Sequence, residues 1–193
     1  MRKLVGTILI LSLLTLGACG GGNNVETTMS EPVADFEATT QDGDTLTRDD
    51  LKGKWWVADF VFTNCTTVCP PMTRNMKSLQ DQLKEANVEN FQLVSFSVDP
   101  DYDTPDVLKE YANEHGADLS TWTFLTGYEF EMIQELAQES FKVLVQPPPE
   151  GDDQVSHGTQ FLLVNPDGEV VKHYSGTEAD QMEQIADDLK NLQ

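Results

Sequence analysis

Two cysteines and one histidine hold the chemistry of this chain. Cys65 and Cys69 stand four residues apart in Thr63-Asn64-Cys65-Thr66-Thr67-Val68-Cys69-Pro70-Pro71-Met72, and His157 lies far downstream in Val155-Ser156-His157-Gly158-Thr159. A thiol pair at that spacing fits a structural disulfide, reversible thiol–disulfide exchange or metal ligation. A bridge over so short a loop restrains the unfolded chain weakly, by roughly 2 kcal/mol against about 4.7 kcal/mol for a 100-residue loop. The pair therefore suits switching better than stapling. Were the segment helical, both thiols would project from one face. Pro70 and Pro71 suit a helix start. Helix N-terminal N–H groups favour anions, which would make either thiol unusually acidic.

The cysteines alone do not separate redox work from metal binding, and a lone histidine is commonly a solvated surface residue. His157, however, leads into a predicted core strand, and Gly158 leaves room for close approach. Two thiolates and an imidazole form a ligand set suited to copper: thiolates favour Cu(I), and nitrogen helps to accommodate Cu(II). Zinc usually takes a fourth ligand or an open water position, and no fourth ligand is evident.

The elements that must position these residues follow from the hydrophobic pattern. Asp35 to Thr47 reads as a hairpin turning at Gln41-Asp42-Gly43-Asp44. Trp55 to Phe62 is an apolar run broken only by Asp59, a buried strand. Cys69 to Asn87 reads as a helix with Met72, Met76, Leu79 and Leu83 on one face. Phe91 to Val98 is a strand, Thr104 to His115 a helix capped by Thr104, Trp122 to Leu125 a strand. Tyr128 to Ser140 is a helix burying Phe130, Ile133, Leu136 and Ala137, and Phe141 to Val145 a short strand. Gln146 to Ser156, with three prolines and several acids, is an exposed loop. Phe161 to Val164 and Glu169 to Tyr174 flank the turn Asn165-Pro166-Asp167-Gly168, and Glu178 to Leu192 is the last helix. This order predicts an α/β fold with a central mixed sheet flanked by helices and an N-terminal β-hairpin. A helix that follows a cysteine-bearing turn makes the fold thioredoxin-like. The cysteine turn would then lie at the carboxyl end of a central strand, where open α/β sheets bind ligands.

The chain has 193 residues, with 12 Lys plus Arg against 33 Asp plus Glu, a formal net charge of −21. That excludes the clustered basic surface on which nucleic-acid binding depends. Three cysteines are too few for a disulfide scaffold. Met1-Arg2-Lys3 and an uncharged run from Leu4 to Leu16 form a secretory signal, too short to span a membrane. Leu16-Gly17-Ala18-Cys19 resembles a bacterial lipobox, in which the cysteine is acylated and becomes the new N-terminus. Gly20-Gly21-Gly22-Asn23-Asn24 opens a flexible polar tether. Cleavage removes Arg2 and Lys3, so lipid rather than charge attraction must hold the mature chain at the membrane. The expected organisation is a signal peptide over 1–18, a lipidated Cys19 and tether over 19–30, and one copper-binding domain over 31–193, on the extracytoplasmic face of a bacterial membrane.

These residues also carry a family resemblance. Cys65-Thr66-Thr67-Val68-Cys69-Pro70 resembles the CxxxCP signature of the Sco/SenC family. Ser97-Val98-Asp99-Pro100 with Asp103-Thr104-Pro105 is similar to its SVDP…DTP segment, and Trp122-Thr123-Phe124-Leu125-Thr126-Gly127 to its W-x-FLTG strand. Ser156-His157 followed by Phe161 to Gly168 resembles its histidine and closing hairpin. The resemblance runs from about Glu31 to Leu192. It implies a thioredoxin fold, copper held by Cys65, Cys69 and His157, and assistance to assembly of the CuA centre in cytochrome c oxidase subunit II.

The other candidates have plainer readings. His115 before Gly116 caps a helix, and His173 faces solvent on a strand. Asp99 ends a strand and Asp103 sits in the following turn, or the two form a docking patch. Asp152 and Asp153 are a solvated loop, and the methionines are core. Three functions compete. One is a membrane-anchored copper-binding assembly factor. Another is a thiol–disulfide oxidoreductase that reduces the copper-site cysteines, with Cys65 attacking first and a thiol reductant restoring it. The last is a lipid-anchored binding module without chemistry. A peroxidase fits less well, because no peroxide-activating environment is identifiable.

Overall fold

The computed structural model describes residues 27–192. Its strands are β1 (Glu31–Pro32), β2 (Glu37–Thr40), β3 (Thr45–Thr47), β4 (Trp55–Val61), β5 (Phe91–Ser97), β6 (Trp122–Thr126), β7 (Val145–Gln146), β8 (Ser156–His157), β9 (Gln160–Val164) and β10 (Glu169–Ser175). The helices are α1 (Cys69–Glu85), α2 (Pro105–Glu114), α3 (Phe130–Ser140) and α4 (Gln181–Asn191). Eight strands form one sheet in the order β1-β10-β9-β4-β5-β6-β2-β3, while β7 and β8 pair apart from it. Strands β4, β5 and β6 run parallel, and β9 joins β4 antiparallel. This is the thioredoxin-like mixed sheet that the element order predicts, with the β2–β3 hairpin completing one edge.

The sheet is apolar on both faces, which explains why β4 and β5 read as continuous hydrophobic runs rather than alternating ones. On one face Met72, Met76 and Leu79 of α1, Leu108 of α2 and Ile185 of α4 pack against Val57, Leu93 and Leu163. On the other, Ile133, Leu136 and Ala137 of α3 pack against Ala58, Phe60, Val94 and Phe96. Each fully buried aliphatic or aromatic side chain contributes roughly 1.5–3 kcal/mol. The two layers therefore fix β4 and α1, the elements that carry the cysteines, from both sides.

Several boundaries differ from the sequence reading. Phe141 to Val145 is not a strand: α3 closes with Lys142 in the left-handed region at φ 56° and Val143 N–H bonded to Ala137 O, leaving only Val145 and Gln146 extended. Phe130 is half-buried rather than buried. The α1 helix stops at Glu85, because Asn87 takes φ 53°. The loop expected over Gln146 to Ser156 is exposed along most of its length, but its ends pair as β7 and β8 and Val155 is buried. Among the described residues no helix is long and apolar enough to cross a membrane.

Candidate metal centre

The cysteine turn leaves the carboxyl end of β4 and is pinned on both sides. Phe62 is buried, and its carbonyl accepts the Cys65 N–H at 3.2 Å. Thr63 donates its hydroxyl at 2.5 Å and its N–H at 3.2 Å to the Asp103 carboxylate. Asp103 is fully buried and also accepts the Ser97 hydroxyl at 2.6 Å. Burial holds its carboxyl above the usual range, against the bonds from Ser97 and Thr63. The expectation that Asp103 is a turn residue is correct for the backbone; its side chain joins β5 to the cysteine turn. Asp99 is also raised, by burial first and then by Asp101 and Asp153.

Only Cys69 is helical, as the first residue of α1; Cys65 precedes the helix, so the pair does not share a helix face. Cys65 instead folds back, and its Sγ accepts the Cys69 N–H at 3.3 Å. The thiol thus takes the place of a helix cap and fills an orphan donor of the first turn. Pro70 and Pro71 follow, where a missing N–H leaves nothing unsatisfied.

His157 comes to the same spot from β8. Its Nε2 lies 3.4 Å from Cys69 Sγ, and one donor atom from each of Cys65, Cys69 and His157 falls within 4.8 Å of the others. The other ring nitrogen, Nδ1, is 2.9 Å from the Gly158 carbonyl, which can only accept. Nδ1 therefore donates, and in the neutral ring this leaves Nε2 as the lone pair that faces the thiols. Phe62 meets the imidazole edge-on at 5.8 Å. Gly158 allows the chain to pass: a Cβ there would lie 2.4 Å from Gln160 Oε1.

The two thiols are electrostatically unequal. Cys65 is held down to about 3, chiefly because it accepts a hydrogen bond from the Cys69 thiol, with backbone N–H groups adding to the effect. Cys69 is pushed up by that same bond and by burial. Cys65 is thus the thiolate of the pair and Cys69 keeps its proton. Beneath them lies Asp59, fully buried, with Oδ1 accepting the Ser95 hydroxyl at 2.6 Å and Oδ2 without a partner among the described residues. Burial raises it to about 7, against the bond from Ser95 and the pull of His157.

The SCO1/SenC family model matches residues 25–193. The chain belongs to the SCO1/SenC family. A solved SCO1/SenC family lipoprotein from Bacillus anthracis is 45% identical with a TM-score of 0.81, over 86% of this chain and 98% of that one. BsSco, described as a member of the Sco family of cytochrome c oxidase assembly proteins and as containing a disulfide switch, is 43% identical with a TM-score of 0.79, over 87% and 96%. Arabidopsis thaliana ScoI with copper bound is 27% identical with a TM-score of 0.69, over 81% and 97%.

Other candidates fall elsewhere. Cys19 lies outside the described residues. His115 ends α2, with Nδ1 2.9 Å from Tyr111 O and Gly116 following at φ 68°, as expected of a cap. His173 is exposed on β10. Asp153 is not simply solvated: it accepts Asn64 Nδ2 at 2.7 Å. The depth of Asp59 and the link from Asp103 went unnoticed in the sequence. The one polar residue in the apolar β4 run was the available signal for Asp59.

Proposed function

We propose that this chain is a lipid-anchored copper-binding assembly factor that takes copper on Cys65 Sγ, Cys69 Sγ and His157 Nε2 and helps to insert it into the CuA centre of cytochrome c oxidase subunit II. The observation that carries this reading is the convergence of two thiols and an imidazole lone pair within 4.8 Å. The donor set fits the cargo: both Cu(I) and Cu(II) accept sulfur with one nitrogen. The proposed arrangement along the chain is a signal peptide over 1–18, Cys19 with its tether over 19–30, and the copper-binding domain from 31, held outside the cell membrane. The lipoprotein description of the Bacillus anthracis relative supports the anchor.

A second reading rests on the unequal thiols. Thiolate Cys65 would attack a partner disulfide, Cys69 would then attack Cys65 and lose its proton to the leaving thiolate. The partner gains two electrons and, with a second proton taken from water by its other thiolate, becomes a dithiol, and a Cys65–Cys69 disulfide forms until a thiol reductant restores it. Copper and a disulfide compete for the same sulfurs, so the two roles are compatible.

Copper titration of the reduced domain that begins after Cys19, read by absorption and electron paramagnetic resonance, tests the proposal. One copper per chain, with a sulfur-to-copper charge-transfer band lost in Cys65→Ser, Cys69→Ser and His157→Ala, is expected. No stoichiometric binding together with ready disulfide exchange would leave the oxidoreductase reading. Unchanged affinity in His157→Ala would remove the histidine from the site.

A further inference from the structure

The loop between β7 and β8 does more than return the chain. Gln154 reaches over the cysteine turn with both ends of its amide. Its Oε1 accepts the Thr66 N–H at 3.4 Å, and its Nε2 donates to the Asn64 carbonyl at 3.1 Å. Those two backbone groups flank Cys65, so one side chain brackets the thiol. Asp153 braces the bracket: its Oδ1 accepts from Gln154 Nε2 at 2.8 Å, and its Oδ2 accepts from Asn64 Nδ2 at 2.7 Å.

We propose that Gln154 is a positioning residue whose amide clasps the cysteine turn across Cys65 and thereby sets both the exposure of that thiol and its distance from His157. The inference about distance rests on the three-residue metal site proposed above. Its basis is topological. Among the described residues, strand β8 is not hydrogen-bonded into the main sheet, and its only strand partner is β7. His157 follows Gln154 by three residues, so the clasp is the polar tie nearest to it that fastens this hairpin to the cysteine turn. Val145 and Val155 anchor the hairpin by burial, while Glu150, Gly151, Asp152 and Asp153 at the tip are exposed. Cys65 is only 8% exposed even though its neighbours Thr66 and Thr67 are open to solvent. A copper donor or a partner thiol that must reach Cys65 therefore meets a turn whose backbone the clasp holds on both sides of that residue. Only an amide fits, because the position needs an acceptor for Thr66 and a donor for Asn64 on one planar group.

The test uses the reduced, metal-free full chain in detergent. Iodoacetamide labelling of each cysteine is followed peptide by peptide by mass spectrometry. In parallel, the same chain is loaded with Cu(I), and the loss of copper to excess bicinchoninate is timed. Loss of two neutral hydrogen bonds predicts about a tenfold rise in the Cys65 labelling rate in Gln154→Ala. The Cys69 rate stays as in the parent, the melting temperature falls by only a few degrees, as two lost hydrogen bonds require, and copper loss quickens by a similar factor. Gln154→Glu keeps the acceptor but not the donor and falls between. Asn64→Ala, which removes only the brace, rises least; these two variants decide the matter if Gln154→Ala does not fold. Unchanged Cys65 labelling across the variants overturns the proposal. So does an equal rise at both cysteines, the mark of general loosening. If the parent chain binds no copper, the metal reading fails and the Cys65-to-Cys69 labelling ratio still decides the clasp.

Discussion

Asp59→Asn should stabilise the protein increasingly as pH rises. The carboxyl is fully buried, lies beneath the thiols, and is raised from 3.8 to about 7 by burial. A carboxyl whose folded value lies above its unfolded one binds its proton more tightly in the folded state. Its contribution is present in full below the unfolded value and is lost as pH climbs toward the folded value. The window is therefore from about pH 4 to about pH 7, and the full loss is about 4 kcal/mol at 1.36 kcal/mol per unit. That is a large share of the 5–15 kcal/mol typical of a folded domain. Asn keeps an acceptor for the Ser95 hydroxyl, which lies 2.6 Å from Asp59 Oδ1, but cannot ionise. The assay is urea denaturation of both proteins, reduced and metal-free, at pH 5 and pH 8. Variant and parent share every other titrating group, so the comparison isolates this one. The stability gap should widen in favour of Asn by about 2.5 kcal/mol between the two pH values. A gap that is constant across pH would refute the reasoning, because it would mean that Asp59 does not ionise in that window or ionises without cost.

Three further outcomes follow from the same geometry. Cys65 is held as a thiolate, so its alkylation rate should stay nearly flat between pH 8 and pH 6, where an ordinary thiol slows by about a hundredfold; a hundredfold drop contradicts the asymmetry. Asp103→Ala should cost about 3 kcal/mol in urea denaturation, because it strands the Thr63 N–H and the Thr63 and Ser97 hydroxyls. Leu79→Ala removes a fully buried side chain between α1 and the sheet and should cost about 2–5 kcal/mol, with the metal-site spectrum unchanged because the cavity opens away from the thiols.

Periodicity made the frame legible. Met72, Met76, Leu79 and Leu83 repeat at helical spacing and are buried along α1, and the runs 55–62 and 91–98 are β4 and β5 nearly to the residue. The site was legible by residue type: a thiol pair after a strand, prolines opening a helix, and a histidine before another strand. What escaped depends on partners distant in sequence. Asp103 bonds Thr63 across 40 residues, and Gln154 bonds Asn64 across 90. Neither pairing leaves a local pattern. The false strand at Phe141 to Val145 has a different cause. Phe141, Val143 and Val145 alternate as strand residues do, yet all three are buried by packing against α3 and the sheet, and of the three Val145 alone pairs, in β7.

The unequal thiols make one more demand on the proposed copper site. Copper takes thiolates and a neutral imidazole nitrogen, so binding expels whatever protons those ligands still hold. Cys65 is already a thiolate at neutral pH, since it accepts from the Cys69 thiol and lies far below the usual thiol range. Cys69 keeps its proton, because its hydrogen bond to Cys65 holds it there and burial and its neighbour's charge oppose ionisation. His157 presents Nε2 as a lone pair, because its Nδ1 proton is committed to the Gly158 carbonyl. Copper binding near pH 7 should therefore release about one proton per chain rather than the two of an ordinary dithiol. Calorimetry in two buffers of different ionisation enthalpy counts it. Asp59 is raised to about 7 and lies within electrostatic reach of Cys69, so it exchanges part of a proton as that thiol gains charge. Repeating the titration with Asp59→Asn removes that contribution and leaves the ligand count alone. Two protons released in the variant would mean that both cysteines start as thiols, and the asymmetry built from the Cys65–Cys69 hydrogen bond would fall.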